Sequence, residues 1–325
     1  MRSFESFHKI QLENYFSYRQ SRGFAIKTSF AYLKKFDRYL RDKKPVEEYL
    51  PPSFFLQMRA DFTIEARSVN NLIISVRSFY KYLVRQGYYQ TNPLQDIPLL
   101  KANAIIPFVF SPKETEQIIK DLWDRIRAEE QYFMKDFSCY LIILLLARCG
   151  LRISEPLRMK LQNYRPFEKS IYIEKTKFKK DRLIPVPRSV AIEIENYMSV
   201  RNTLLPSDKQ SQVMFVNNKG MPLGDNRVRN DFHLAVSNIG LTQPRKIIHN
   251  TNFNAPTPHS LRHSYAVNTL KNIKERGGCP QNALPILATY LGHSSYRDTA
   301  VYLKLLDADQ HRNLVNFAAS QARKT

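Results

Sequence analysis

Cysteines and long apolar runs are scarce in this chain, and each scarcity argues against a class of protein. The 325 residues include three cysteines, Cys139, Cys149 and Cys279, which are widely spaced and form no C-x-x-C pair. An odd number without close pairs argues against a disulfide framework or a cysteine zinc site. The longest strongly apolar run, Tyr140 to Ala147, is too short to cross a membrane. The start of the chain lacks the apolar core of a signal peptide, so we expect a cytoplasmic protein with reduced thiols and no membrane partner.

Acidic side chains are also outnumbered. Fifty Lys and Arg residues against 29 Asp and Glu residues give a formal net charge of +21 and a pI near 9.8. This balance is typical of proteins that bind polyanions, of which nucleic acid is the commonest. A basic surface without a partner would give the same composition, so charge alone does not identify the ligand.

The first hundred residues show helical apolar periodicity in four segments. They are Phe4 to Gln20, Ile26 to Arg41, Ser53 to Ala60 and Ala66 to Arg85. Four short helices predict a small bundle, with the aromatic residues along them as its core. Basic residues between the apolar positions either contact DNA phosphates or line solvated faces. The candidates for DNA contact are Lys27, Lys34, Arg77 and Lys81.

A chain of this length predicts two domains, and 43% hydrophobic residues allow each to bury a core. We assign residues 1–98 to a helical first domain, 99–107 to an extended linker and 108–325 to a second domain. The second domain starts with a helix-capping pattern, in which Ser111 is the N-cap and Glu114 the third helical residue.

The second domain alternates helical with extended patterns. An almost continuously apolar segment, Lys135 to Ala147, predicts a buried helix. Alternating residues from Asn163 to Val186 predict a β-hairpin with a charged tip. Further segments are predicted as helices over Ser189 to Arg201 and Asn226 to Gly240, a short strand over 213–217, a long loop over Leu241 to Thr257 and a helix from Pro258. The predicted fold is mainly α with a small β-hairpin or sheet, an α+β second domain.

One stretch near the end of the chain concentrates side chains that can do chemistry. His259, Arg262 and His263 stand at i, i+3 and i+4 of a predicted helix, so they share one face. His293 closes a later short helix, and Tyr302 lies in a third apolar-periodic run. A histidine pair at this spacing can bind zinc, but the metalloprotease pattern has Glu directly after the first histidine, where this chain has Ser. With an arginine between the two histidines, an anion is the better ligand.

Two further basic sites precede this stretch. Arg152 follows the buried helix and has Glu155 three residues later as an anionic partner. Taken alone, this is equally well explained as a structural ion pair. The hairpin tip carries several lysines that can approach a phosphate or simply lie in solvent. They are Lys175, Lys177, Lys179 and Lys180.

Three motifs in order resemble the tyrosine recombinases, the phage-integrase and Xer-like family, and the resemblance extends over essentially the whole chain. The first is G-L-R-I-S-E, which contains Arg152 and Glu155. The second is H-S-L-R-H, beginning at His259. The third is L-G-H, ending at His293, with Tyr302 nine positions later.

The resemblance implies a phosphodiester exchange without a metal or other cofactor. Tyr302 would be the nucleophile and would form a 3′-phosphotyrosine, while Arg152 and Arg262 would bind the phosphate. His259 would assist proton transfer, and His293 would donate to a phosphate oxygen or support the tyrosine.

The same resemblance gives supporting roles to other residues. Glu155 would orient the first-motif network, and His263 would be a neighbouring packing residue. The hairpin lysine that acts as general acid would be Lys177, counted back from the Arg182-Leu183 match. Here the family glycines beside that lysine are replaced by Thr176 and Phe178.

The expected function is site-specific DNA recombination. Two double-stranded sites would be paired by a tetramer, with a dimer on each site, and strands would be exchanged through a four-way junction during integration, excision or resolution of a mobile element. The first domain would be the SAM-like core-binding domain, and the protein would be associated with the nucleoid. Accessory DNA-bending or directionality proteins are further candidate partners. A terminal helix over Asp307 to Arg323 would pack within its own chain or into a neighbouring protomer.

Three other functions fit some of these residues. A type IB topoisomerase uses a similar set of side chains but relaxes supercoils as a monomer. A catalytically silent DNA-binding protein would not need Tyr302. A metal-dependent nuclease would use His259, His263 and His293 as ligands, and EDTA would abolish its activity.

Overall fold

The computed structural model describes residues 4–45, 49–174, 181–205, 211–293, 295–296 and 298–306. The chain divides into two compact units, Met1–Ala104 and Ile105–Thr325. The division falls inside the stretch 99–107 that the sequence predicts as a linker. In the described ranges, no helix is both long enough and apolar enough to span a membrane.

The first unit contains the four helices that the periodicity predicts. They are α1 (Lys9–Ser21), α2 (Lys27–Lys43), α3 (Pro52–Asp61) and α4 (Ala66–Arg85). Their aromatic residues form the core, as expected. Helix α1 begins later than predicted because the preceding segment is bound to α2. The backbone N–H groups of Glu5 and Ser6 donate to the carboxylate of Asp37 on α2.

Arg77, a candidate for phosphate contact in the sequence, binds two backbone carbonyls in the structure. Its Nε donates to the carbonyl oxygen of Leu94 at 2.8 Å, and its Nη2 donates to that of Ile97 at 2.6 Å. The guanidinium therefore ties the segment after α4 to the bundle. The physical reason is that these buried carbonyls need donors, which a nearby arginine can supply.

The second unit is helical with two small sheets. Its helices are α5 (Pro112–Asp124), α6 (Glu130–Cys149), α7 (Arg188–Leu204), α8 (Asp225–Asn238), α9 (Pro258–Glu275) and α10 (Pro280–Leu291). Strand β1 (Ala104–Ile106) spans the division between the units, and the other strands are β2 (Tyr164–Arg165), β3 (Ser170–Ile173), β4 (Arg182–Pro185), β5 (Lys246–Ile248) and β6 (Thr251–Phe253). Residues 298–306 are also helical. The mainly α prediction with a small sheet is confirmed.

Helix α6 is the centre of this unit. It is apolar on all sides, and α5, α7, α8 and α9 pack around it. It ends at Gly150, which has the left-handed φ of +59°. A Cβ atom at this position would lie 2.6 Å from Cδ1 of Tyr265. Glycine is therefore required both by the backbone angle and by the close approach of the ring.

The two sheets each have three strands. Strands β2, β3 and β4 form an antiparallel meander in which Ile173 pairs with Arg182. The predicted hairpin is therefore present at its base, and the lysines of its tip lie outside the described residues. In the second sheet the strand order is β1-β6-β5.

Two sequence predictions in the second unit, one of a loop and one of a strand, are wrong. The predicted loop Leu241 to Thr257 contains the hairpin β5–β6, whose turn includes His249 at a φ of +51°. Three-residue strands are too short to give a clear periodicity. The predicted strand over 213–217 forms only isolated bridges. One reason is that the backbone N–H of Val216 donates to the Tyr197 hydroxyl instead of to a neighbouring strand.

Candidate functional site

The first part of the site lies just beyond the end of α6. Arg152 Nη1 donates to Glu155 Oε1 at 3.0 Å, and the backbone N–H of Arg152 donates to Oε2 at 2.9 Å. Arg152 Nη2 donates to the carbonyl oxygen of Gly292, 140 positions later, at 2.9 Å. The first and third motifs of the sequence are therefore in direct contact.

Arg182 completes this network from the start of β4. Its Nη1 and Nη2 donate to the two carboxylate oxygens of Glu155, and its Nε donates to the carbonyl oxygen of Tyr290 at 2.8 Å. Burial alone would raise the pKa of Glu155, but hydrogen bonds and positive charge from Arg182, with a contribution from Arg152, leave that pKa below its ordinary value. The carboxylate is therefore ionised at neutral pH.

Sequence reasoning assigned Arg182 no role beyond marking the register of the hairpin. A signal was available in the alternation of β4, because Arg182 and the fully buried Ile184 lie on the same face of the strand. A charged residue at an inward position implies a buried anionic partner, which here is Glu155.

Arg262 on α9 is completely buried. Its Nη1 donates to the carbonyl oxygen of Gly150 at 2.8 Å, and its Nη2 donates to that of Leu291 at 2.5 Å. These carbonyls end α6 and α10, where helix dipoles place partial negative charge. Burial and the positive charge of Arg152 lower the pKa of Arg262 to about 10, so the guanidinium stays protonated at neutral pH. Its Nε is buried without a hydrogen-bond partner among the described residues.

The turn after α10 brings both guanidinium groups to one place. Gly292 ends the helix with a left-handed φ of +65°. The carbonyls on either side of this turn, those of Leu291 and Gly292, accept from Arg262 and Arg152 respectively. The next residue, His293, points to the helical segment 298–306, since its Nδ1 lies 2.8 Å from Thr299 Oγ1.

Tyr302 lies against two imidazoles and is 3% exposed. The ring of His293 is stacked on it, with centroids 6.1 Å apart and planes inclined by 27°. The hydroxyl lies 3.1 Å from Nδ1 of His263. Burial raises the pKa of Tyr302, although the charges of Arg262 and Arg152 oppose this shift.

The histidines of the site are held in the neutral form. Burial, with the neighbouring His259, Arg262 and His293, lowers the pKa of His263 to about 3. Burial and the nearby arginines lower the pKa of His293 to about 4. His259 is exposed in the first turn of α9, and its ring meets that of His263 edge to face, with centroids 4.5 Å apart.

The structure therefore gathers seven of the predicted site residues, which lie far apart in sequence. They are Arg152, Glu155, His259, Arg262, His263, His293 and Tyr302. The predicted general acid, Lys177, and its neighbours Lys175, Lys179 and Lys180 lie outside the described residues. In the ranges that the structure covers, no three His, Cys, Asp or Glu side chains are grouped as metal ligands.

Comparison with known proteins identifies the class. Residues 110–309, more than half of the chain, match the model of the phage integrase family. The chain therefore belongs to this family of tyrosine recombinases, enzymes that cleave and rejoin DNA. The family predicted from the three motifs is confirmed.

The chain is similar to named relatives along most of its length. It is 29% identical over 307 residues to the protein of Sinorhizobium fredii named "Putative integrase/recombinase y4rE", and the match covers 93% of each chain. It is 26% identical over 302 residues to tyrosine recombinase XerD of Lacticaseibacillus casei, covering 89% of this chain and 91% of the relative.

Solved structures share the fold. A lambda integrase dimer bound to a COC′ core site matches with a TM-score of 0.64 at 18% identity, covering 92% of this chain and 77% of that one. The post-cleavage complex of XerH site-specific recombinase with a palindromic difH substrate matches with a TM-score of 0.66 at 18% identity, covering 89% and 78%.

Proposed function

We propose that this protein is a site-specific DNA recombinase in which Tyr302 is the nucleophile. The Tyr302 oxygen attacks the scissile phosphorus and forms a 3′-phosphotyrosine, and the 5′-oxygen leaves. Attack by the 5′-hydroxyl of another strand reverses the step and rejoins the DNA. Because the phosphotyrosine conserves the bond energy, the exchange needs no ATP.

One observation carries the proposal. Arg152 and Arg262 both donate to carbonyls of the turn at Leu291 and Gly292, and the next residue, His293, is stacked on the ring of Tyr302. Two guanidinium groups are thus bound to one short turn, and the phenol packs against the residue that follows it. Guanidinium groups bind phosphate oxygens in planar, paired hydrogen bonds and stabilise the charge that develops on them.

The buried Nε of Arg262 supports an anionic ligand. A charged N–H group without an acceptor is costly inside a protein. A phosphate oxygen is a suitable acceptor for such a group. Desolvation of this site on DNA binding would strengthen the same interaction.

The remaining roles follow the chemistry of the step. Lys177 protonates the leaving 5′-oxygen, His259 assists proton transfer, and His293 donates to a phosphate oxygen while packing against Tyr302. Glu155 holds Arg152 in place through the contacts described above.

DNA binding and assembly are parts of the same proposal. The net charge of +21 supports binding to the duplex backbone. Lys27 and Lys81 are exposed on the first unit, whereas Lys34 donates to Asp37 at 3.2 Å. We assign phosphate contacts to the two exposed lysines and to the hairpin-tip lysines, so affinity should fall steeply with added salt. An affinity for DNA that does not change with salt would contradict these phosphate contacts.

Self-association is proposed by analogy. A lambda integrase tetramer bound to a Holliday junction has the same fold, with a TM-score of 0.64 at 17% identity over 93% of this chain and 78% of that one. We propose a dimer on each site and a tetramer during strand exchange, with accessory DNA-bending or directionality proteins as further partners.

Adduct capture tests the proposal. The protein is incubated in EDTA with DNA from its own genetic neighbourhood, the reaction is stopped with detergent, and the ends of protein-linked DNA are sequenced. Adducts clustered at one or two sequences, and absent from Tyr302→Phe, are expected. Scattered adducts would instead indicate a topoisomerase, and cleavage without adducts would overturn the nucleophilic mechanism.

A further inference from the structure

His263 is the imidazole that contacts the hydroxyl of Tyr302. Its Nδ1 lies 3.1 Å from the Tyr302 oxygen. The Nδ1 of His293 is instead bonded to Thr299 Oγ1, and its ring meets Tyr302 through the stacked faces. His259 packs against the ring of His263. Within the described residues, the second histidine of H-S-L-R-H is thus better placed to receive the phenolic proton than the other two.

We propose that His263 is a catalytic residue that accepts the proton of Tyr302 as this side chain attacks the phosphate. The inference rests on the proposed function, in which Tyr302 is the nucleophile. It replaces the packing role that sequence reasoning gave to His263.

The proton balance of the step is simple. The Tyr302 O–H proton moves to Nδ1 of His263 while the bond between the Tyr302 oxygen and phosphorus forms. The bond between phosphorus and the 5′-oxygen breaks, and that oxygen takes a proton from the general acid, Lys177 in the proposed function. On rejoining, the His263 imidazolium returns its proton to the departing phenolate.

The surroundings of His263 suit this exchange. His259 and Arg262 face it from α9, His293 from the end of α10, and Tyr302 from the helical segment 298–306. Burial, together with the positive charge of Arg262, keeps the imidazole unprotonated before reaction, so Nδ1 is free to accept when the proton is on Nε2. A scissile phosphate bound by the arginines adds negative charge and stabilises the imidazolium that forms.

Burial of the nucleophile favours an internal base. Tyr302 is 3% exposed, so bulk water has little access to its hydroxyl. A side chain in hydrogen-bond contact is then the direct route for the proton. The neutral His263 occupies this position in the structure.

Two variants separate proton transfer from packing. His263→Asn places an amide oxygen near the position of Nδ1, where it can accept a hydrogen bond but cannot carry away the proton. His233→Asn, at an exposed position on α8, is the matched control. Both are made in the full chain, and single-turnover cleavage of a nicked suicide substrate is followed from about pH 6 to about pH 9.

The expected result is a change in pH profile as well as in rate. At neutral pH His263→Asn should cleave about 10²-fold more slowly with unchanged DNA affinity, and its rate should rise about tenfold per pH unit as ionised phenol replaces the base. The control should match the wild type. Wild-type rates in His263→Asn, or a slow rate that does not change with pH, would overturn the proposal.

A modified substrate identifies the proton involved. A 5′-bridging sulfur at the scissile phosphate makes a leaving group that needs no proton. It should rescue Lys177→Ala but not His263→Asn. Rescue of His263→Asn would show that His263 acts on the leaving group and would overturn the proposal.

Two more variants keep the test decisive. In His263→Gly, added imidazole should restore cleavage, and failure to do so would count against the base even if the asparagine variant folds poorly. Tyr302→Phe distinguishes a failure of the proposed function from a failure of the role given to His263. Cleavage by Tyr302→Phe would refute the proposed function, whereas an inactive Tyr302→Phe with a normal His263→Asn would refute only the present inference.

Discussion

Arg182 and Glu155 form a doubly hydrogen-bonded ion pair inside the second unit, with Nη1 to Oε1 at 3.0 Å and Nη2 to Oε2 at 2.9 Å. Their side chains are 8% and 3% exposed. Because Glu155 also accepts from Arg152, the carboxylate joins β4 to one of the two proposed phosphate-binding residues. The position of Arg152 in the site therefore depends on Arg182, a residue that would not itself contact DNA.

Loss of this pair should destabilise the second unit. In Arg182→Ala, Glu155 stays buried with only Arg152 as its cationic partner, and removal of one partner of a buried pair costs about 3 kcal/mol or more. The free energy of unfolding in urea measures the effect. Arg165→Ala breaks an exposed pair with Glu168, whose side chain is 54% exposed, and should cost less than about 1 kcal/mol. Equal losses in the two variants would contradict the structural role of Arg182.

Gly292 should be sensitive to a single methyl group. A Cβ atom there would lie 3.1 Å from Nη1 of Arg182, at a φ of +65° that disfavours other residues. Gly292→Ala should slow cleavage at least tenfold with unchanged DNA affinity, because the turn orients Arg152 and Arg262. Gly240→Ala is the control, since it also has a positive φ but has no atom within 4 Å of the added Cβ. It should retain the normal cleavage rate, and an equal loss in both variants would contradict the packing argument.

The first unit should lose stability in mild acid through His8. Burial lowers the pKa of His8 to about 4, and its Nε2 is bonded to the Tyr80 hydroxyl at 2.9 Å. The unfolded state binds a proton below about pH 6.5, whereas the folded state binds it only below about pH 4. Stability is therefore complete above pH 6.5 and falls by ~3 kcal/mol as the pH drops to 4.

His8→Gln keeps a polar atom near Nε2 but removes the titration. Over this interval, its free energy of unfolding should fall less than that of the wild type, and the difference should be ~3 kcal/mol or less. Urea unfolding at several pH values, with His233→Gln on α8 as an exposed control, measures the difference. The same pH dependence in His8→Gln and the wild type would show that another group is responsible.

Loss of a phosphate-binding guanidinium should affect the chemical step. Arg152→Ala or Arg262→Lys should reduce transition-state stabilisation by about 2 to 4 kcal/mol, as removal of an oxyanion donor does. The cleavage rate of bound suicide substrate measures it, with chelator present throughout. A normal rate in either variant would refute the electrostatic role, and a rate abolished by EDTA in the wild type would favour a metal-dependent reaction.

Sequence patterns predicted the helices well where the run of apolar positions is long. The periodicity from Ala66 to Arg85 matches α4 in full, and the apolar segment before Cys149 is the buried α6. Local signals also located a helix start, since Ser111 and Glu114 form the predicted capping box of α5. These features are set by residues that are close together in the sequence, so they can be predicted from one sequence.

Features that depend on distant contacts were harder to predict. The role of Arg182 depends on Glu155, 27 positions away, and on the carbonyl of Tyr290, 108 positions away. The hydrogen bonds from Arg77 to backbone carbonyls were likewise not predicted. The motif identified His263, but only the structure places its Nδ1 beside the Tyr302 hydroxyl.

A covalent bond between Tyr302 and DNA defines the proposed reaction, and peptide mapping detects that bond. A nicked suicide substrate traps the adduct in EDTA, and nuclease and trypsin then reduce it to a nucleotide-bearing peptide. Cleavage after Arg297 and Lys304 gives the peptide DTAVYLK, residues 298–304, in which Tyr302 is the single tyrosine. We expect the nucleotide on this peptide and its absence in Tyr302→Phe. A nucleotide on any other peptide, or an adduct that persists in Tyr302→Phe, would contradict it.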